Sequence, residues 1–260
     1  MKIIIAGFIF FSVFFTDASY VRGAGFDHDH IDFTKLLKES TIKKYGQTWV
    51  QYSLIKKDYY PKLRRYLEGL SKVSESDYRS FSSNQKLAYL INAYNAFTIE
   101  WILRHFPVKS IKDTTHFLTT PWKKEITGFK LFGKPFTLDW IEHEKIRKEF
   151  LEPRIHFAVN CASIGCPSLR QSAYTAKKLD TELAEAERDF FMNPSKFKVV
   201  GKKVFINSIF DWYGEDFIKK FGSLSKYISV RAKIYGISKQ ISPENLSLEF
   251  IDYDWSLNGN

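Results

Sequence analysis

Between Ser83 and Pro107 the chain is committed to a long helix. Leu87, Leu90, Ile91, Tyr94, Thr98, Trp101 and Ile102 recur at the helical period. Ser83 stands before the run, and Pro107 stops it at about Phe106. Asn92 and Asn95 interrupt the apolar pattern, although asparagine has poor helix propensity. The elements around this helix alternate irregularly. Trp49 to Leu54 reads as a short strand, and Tyr59 to Leu70 as a helix with Leu63, Tyr66, Leu67 and Leu70 on one stripe. Phe129–Phe132 and Phe136–Leu138 flank Gly133-Lys134 as a hairpin, and Thr137 can cap a helix running to about Lys148. Pro153 breaks the chain before a strand expected from Ile155 to Cys161. A helix follows from Thr175 to about Phe191. A hairpin turns at Gly201-Lys202, helices begin at Ser208 and Ser223, and a last strand covers Leu246 to Tyr253. This order is α+β: a single globular domain with a long central helix packed on a mixed or antiparallel sheet.

The N-terminus reads differently. Lys2, an apolar run from Ile3 to Phe15 and small residues in Thr16-Asp17-Ala18 have the layout of a secretory signal peptide over residues 1–19. Residues 20–48 are then an N-terminal extension and 49–258 the main domain, with a secreted or periplasmic location expected. No later segment approaches the roughly 20 apolar residues of a membrane span, so no stable span is expected after signal cleavage. The formal net charge is +10, spread over scattered lysine pairs such as Lys43-Lys44 and Lys219-Lys220. No nucleic-acid motif accompanies it. A small-molecule or peptide partner is the expectation, no cofactor is implied, and no motif sets the oligomeric state.

Chemistry concentrates in Arg154 to Pro167, which contains both cysteines of the chain. A thiolate is a nucleophile or a metal ligand, according to its surroundings. Three readings follow for Cys161: a nucleophile, one half of a local disulfide with Cys166, or part of a zinc site with Cys166, His143 and His156. The C-x4-C spacing is not that of common structural zinc sites, and no metal is expected. In a regular strand Cys161 shares a face with Ile155, Phe157 and Val159, and His156 lies on the other. The base is therefore either His156, brought round by a bend near Asn160, or His143. Glu142, beside His143 and among the apolar residues of its short helix, would orient a histidine. Backbone N–H groups of residues 162–166 would hold an oxyanion. The acids and aromatics of Asp211–Phe217, and Asp254 after the last strand, read as loop caps.

Several of these segments together resemble the domain of unknown function 547 family. The matching pieces are Leu90–Ala96, Leu138–His143, Arg154–Cys161, Phe210–Tyr213 and Tyr253–Asn258, in order, across roughly Trp49 to Asn258. The family looks similar to papain-like thiol hydrolases. That likeness implies Cys161 as nucleophile, His143 or His156 as base, and Glu142, Asn92 or Asp254 as orienting group. Asn92, Asn95 and Asp254 are carried forward as substrate-binding candidates. The implied activity is hydrolysis of an amide or thioester bond in a small peptide-like, γ-glutamyl or related substrate. The alternative is a non-catalytic binding module of the cell envelope or secreted space that keeps the same pocket. Papain-like enzymes place their cysteine at a helix start, whereas here a strand is expected to precede Cys161.

Overall fold

The computed structural model describes residues 25–115 and 119–260. The expected signal peptide and His116 lie outside the described residues. Among the described residues, no helix is long and apolar enough to cross a membrane.

Helix α1 (Ile31–Ser40) leads into strands β1 (Thr41–Lys44) and β2 (Gln47–Val50), which pair antiparallel. Their turn places Tyr45 and Gly46 at positive φ, as a two-residue hairpin turn requires. The sequence pattern predicts a strand from Trp49 to Leu54. Instead β2 ends at Val50, and a helical stretch begins at Tyr52. That stretch passes through a π-helical turn (Ile55–Tyr59) into α2 (Tyr60–Ser71), whose Leu63, Tyr66, Leu67 and Leu70 are buried as their spacing predicts.

The long helix is α3 (Ser83–His105). Ser82 accepts a bond from the Gln85 N–H, and the Gln85 side chain answers with a bond from the Ser82 N–H. This reciprocal cap stabilises a helix start by about 1 kcal/mol. Every residue from Leu87 through Leu103 is buried. The apolar stripe seen in the sequence is therefore only part of a helix covered all round. Buried polar groups on such a helix need partners, and Asn92 and Asn95 have them. Asn92 exchanges both its amide groups with the backbone of Tyr174, at 2.7 and 2.9 Å. Asn95 donates to the Ala158 carbonyl and accepts from the Asn160 N–H, at 2.9 and 2.8 Å.

After α3 the chain runs through irregular segments to a π-helical turn at Trp140–Ile146, which packs on α3. The Thr137 hydroxyl accepts from the Trp140 N–H at its start. The hairpin expected around Gly133 shrinks to a single bridge between Leu131 and Lys134. The strand expected from Ile155 is also absent. Pro153 opens a 3-10 helix, Pro153–Phe157, with Glu152 capping it through the Arg154 N–H. Proline is well placed at a helix start, since it has no N–H to leave unpaired.

Helix α4 (Leu179–Phe191) follows, then β3 (Phe197–Val200) and β4 (Lys203–Asn207), antiparallel about Gly201 at φ +61°. Helices α5 (Gly214–Phe221) and α6 (Leu224–Ile234) precede β5 (Ser247–Ile251), which adds parallel to β4. The class is α+β, with a central helix and a mixed sheet.

Two apolar clusters fill the interior. One gathers α1, α2 and α3, and the other surrounds the three-stranded sheet with Phe190, Phe191, Phe210, Phe217 and Tyr227. The 3-10 helix lies at their seam: Ile155 and Ala158 belong to the first cluster and Phe157 to the second. The C-terminal residues cross the same region. Asn258 bonds Val50, Ala162, Tyr52 and Asn160, tying the N-terminal hairpin to the cysteine loop.

Candidate functional site

A cavity of about 330 Å³ opens at this seam. Tyr94 of α3, Glu142 and His143 of the π-helical turn, His156 of the 3-10 helix, and both cysteines line it. Trp122, Trp212, Tyr213, Tyr253 and Trp255 complete an aromatic wall, in which Trp212 and Trp255 stack with ring centres 5.7 Å apart. A regular strand would set His156 and Cys161 on opposite faces. Because Pro153–Phe157 coils instead, both residues border one cavity.

His156 is almost fully buried, and its ring stacks on Tyr213 at 4.1 Å. Its Nε2 lies 2.8 Å from Asp216 Oδ2, and its Nδ1 has no partner. Arg147 grips the same carboxylate through Nε and Nη2, at 2.6 and 3.1 Å. Burial lowers the His156 pKa below its ordinary value, outweighing the opposing pull of Asp216. The ring is therefore neutral at pH 7. Its proton is assigned to Nε2, facing the carboxylate, which leaves the Nδ1 lone pair free. Burial alone would push the Asp216 carboxyl up, but the bonds from His156 and Arg147 prevail and hold it well below the usual carboxylate range.

His143 is placed differently. Its Nδ1 lies 2.8 Å from Arg147 Nη1, so that lone pair is already taken by a permanent cation. The other ring nitrogen, Nε2, lies 3.7 Å from Asp139 Oδ1. Glu142 is buried and touches neither imidazole by hydrogen bond. The Tyr94 and Tyr213 hydroxyls bond it instead. Burial first, and the Glu142 charge second, keep both phenols protonated far above neutral pH.

The two sulfurs are bonded to each other. Of the readings for Cys161, the structure takes the local disulfide, which also removes both thiolates from any zinc set. Around the bond stand Ser163 and Tyr253, each with its hydroxyl 3.3 Å from Cys161 Sγ. Gly165 is required here, because a Cβ would meet the Tyr253 ring at 2.7 Å and the Asp254 carbonyl at 2.8 Å. Ala162 takes φ +62°, an uncommon conformation for a residue with a side chain. Asn160 supports it by accepting the Ala162 N–H at 2.9 Å and donating to the Pro167 carbonyl at 2.7 Å.

Of the loop amides expected to hold an oxyanion, all but that of Ser163 are spent on other partners. Cys161 N–H meets Cys166 Sγ, Ala162 N–H meets Asn160, Ile164 N–H meets Ser256, Gly165 N–H meets Asp254, and Cys166 N–H meets Ser163. The polar hydrogens close to Cys161 Sγ are those of Ser163 and Tyr253. Of the sequence candidates, Cys161, His143, His156 and Glu142 converge on the cavity. Asn92, Asn95 and Asp254 are not among its lining residues. The asparagines fasten backbone to α3, and Asp254 caps the Ser256 N–H at 2.9 Å. Asp216, in a cluster that reads as loop caps, is instead a partner of His156. Its sequence signal was the dense Asp211–Phe217 cluster, but only the fold brings it to His156, 60 residues away.

A family model described as protein of unknown function, DUF547, matches residues 78–191. That span includes the segments around Asn92, Glu142 and Cys161, while those around Trp212 and Tyr253 lie outside it. No curated protein and no solved structure matches the chain.

Proposed function

Taking this chain as a member of the DUF547 family over residues 78–191, we propose that it is a thiol-dependent hydrolase whose nucleophile is released by reduction. Its substrate is a small amide or thioester, γ-glutamyl or peptide-like, bound against the tryptophan and tyrosine wall. The observation that carries this reading is the Asp216–His156 pair, whose unpartnered Nδ1 belongs to a ring bordering the same cavity as Cys161. A carboxylate that orients an imidazole, with the second nitrogen free to take a thiol proton, is the arrangement that activates a cysteine.

In the reduced protein His156 Nδ1 takes the Cys161 proton, and the thiolate attacks the substrate carbonyl. The Tyr253 and Ser163 hydroxyls supply hydrogen bonds to the developing oxyanion, in place of the occupied loop amides. His156 then returns the proton to the leaving amine or thiol, and a water that gives its proton to His156 cleaves the acyl–Cys161 thioester, releasing the acid and restoring the thiol. His143, with Nδ1 held by Arg147, positions Arg147 rather than serving as base. Export to the secreted or periplasmic space, an oxidising compartment, would keep the bridge closed until a reductant arrives.

A second reading has its own support. The bridge leaves no free thiol in the described structure, and an aromatic cavity with a few polar groups suits binding without turnover. Hydrolysis assays with γ-glutamyl, peptide and thioester substrates, run with and without reductant, separate the two. Turnover that requires reductant and is lost in Cys161→Ala and His156→Ala supports the enzyme. A reduced, folded protein that alkylates at Cys161 yet turns over none of these substrates supports the binding module.

A further inference from the structure

The two bonded sulfurs are not equivalent. Cys161 is partly exposed at the cavity wall, whereas Cys166 is 1% exposed. Donors gather on the buried one. The Cys161 N–H lies 2.9 Å from Cys166 Sγ, the Tyr253 hydroxyl 3.2 Å and the Ser163 hydroxyl 3.3 Å. Cys161 Sγ has the same two hydroxyls within 3.3 Å but no backbone N–H. Hydrogen bonds to the charged form of a group stabilise it. A disulfide yields faster when the departing sulfur leaves as a stabilised thiolate. Access and leaving-group stability therefore point the same way: attack at Cys161, departure of Cys166.

We infer that the Cys161–Cys166 bond is a thiol–disulfide exchange site, at which a low-molecular-weight thiol is taken up covalently on Cys161. The incoming thiolate uses its electron pair to bond Cys161 Sγ. The pair of the Cys161–Cys166 bond passes to Cys166 Sγ, which becomes a thiolate held by the Cys161 N–H, Tyr253 and Ser163. The proton of the incoming thiol goes to solvent. One disulfide replaces another, so no outside oxidant is needed. In the reverse step the Cys166 thiolate attacks Cys161 Sγ and expels the small thiol. Cys161 sits in a cavity of about 330 Å³ rather than on a projecting surface, which selects a small thiol over a protein partner. The site does not depend on hydrolysis, and its test reads no turnover.

The full chain, unreduced, is incubated with reduced glutathione near neutral pH. Iodoacetamide then traps free thiols, and the products are read by intact mass and peptide mapping. The expected product carries one glutathione on Cys161 and the alkyl group on Cys166, and Tyr253→Phe forms it several-fold more slowly. Ser163→Ala carries the same expectation, should the tyrosine variant fold poorly. Glutathione found equally or mainly on Cys166 overturns the inference. So does a folded protein whose bridge survives a large excess of glutathione without an adduct, or an unchanged rate in both variants. Failure of the hydrolase reading leaves these readouts untouched, and their failure leaves hydrolysis to be judged by its own assay.

Discussion

His156 and Asp216 form a pair in which one ring nitrogen meets the carboxylate at 2.8 Å and the other meets nothing. The pair joins the 3-10 helix before the cysteine loop to the start of α5. Arg147 Nε shares Oδ2 with the histidine and Nη2 takes Oδ1, so Asp216 keeps its charge whether or not the histidine is protonated.

Asp216→Asn tests this pair directly. The amide offers no anion to fix the Nε2–H tautomer, and the free lone pair can move to the wrong nitrogen. Loss of an orienting carboxylate is expected to reduce reductant-dependent turnover by about 10²-fold or more. Stability should fall by about 1.5–3 kcal/mol, because Arg147 loses a charged partner. Urea unfolding measured beside the assay separates the two effects.

The pH profile follows from the lowered pKa of His156. Its folded pKa lies below its unfolded one, so protonation favours the unfolded chain. The stability tied to the neutral ring is full above roughly pH 6.5 and drains as pH falls below that. Turnover in the reduced protein should keep its rate somewhat below pH 6.5 before an acid limb from the imidazole appears. A limb centred above pH 6.5 would contradict a buried neutral base.

Glu152 sets a second acid window. Burial alone would raise its pKa, but bonds from Arg154 and Lys220 bring it to about 2. Its contribution is fully present above the ordinary glutamate range and is lost as pH falls through about 4 towards 2. Glu152→Gln should remove up to about 3 kcal/mol at pH 7 and much less near pH 2. Thermal unfolding at both pH values measures the difference.

Lys196 leads to a stabilising substitution. It is buried and forms no salt bridge among the described residues. It donates to the Ile164 carbonyl, which Gln47 also serves at 2.9 Å. Burial lowers its pKa to about 8, against a smaller raising effect of Asp254. Below about pH 8 the fold carries an expensive charge, and the penalty fades as pH rises from 8 towards the unfolded value. Lys196→Met should raise stability at pH 7 by about 1–3 kcal/mol and give little benefit above pH 10. Destabilisation at pH 7 would show that the lysine's bond to the cysteine loop outweighs its burial cost.

Gly165→Ala should disturb the site from the other direction. Its Cβ would collide with the Tyr253 ring and the Asp254 carbonyl, and overpacking of this kind costs about 1–3 kcal/mol. Tyr253 must then move from the sulfurs, so glutathione uptake at Cys161 should slow along with the stability loss seen in urea.

The sequence by itself determined much of the scaffold. The period of α3, the stripe on α2, the turn at Gly201 and the Ser223 cap are local, because a helix or hairpin is dictated by residues within a few positions of one another. The same locality made Cys161, Glu142 and the two histidines stand out. What it could not supply were relations between distant residues. Pro153 turned an apolar run into a 3-10 helix rather than a strand, since period alone does not separate the two over five residues. Asn92 and Asn95 looked like ligand groups because their backbone partners, at Tyr174, Ala158 and Asn160, lie more than 60 positions away. Only the tertiary structure chose between the histidines. It buried one against Asp216, gave the other's lone pair to Arg147, and joined the sulfurs beneath Tyr253. Each of these choices depends on the geometry of packed side chains, which no local pattern records.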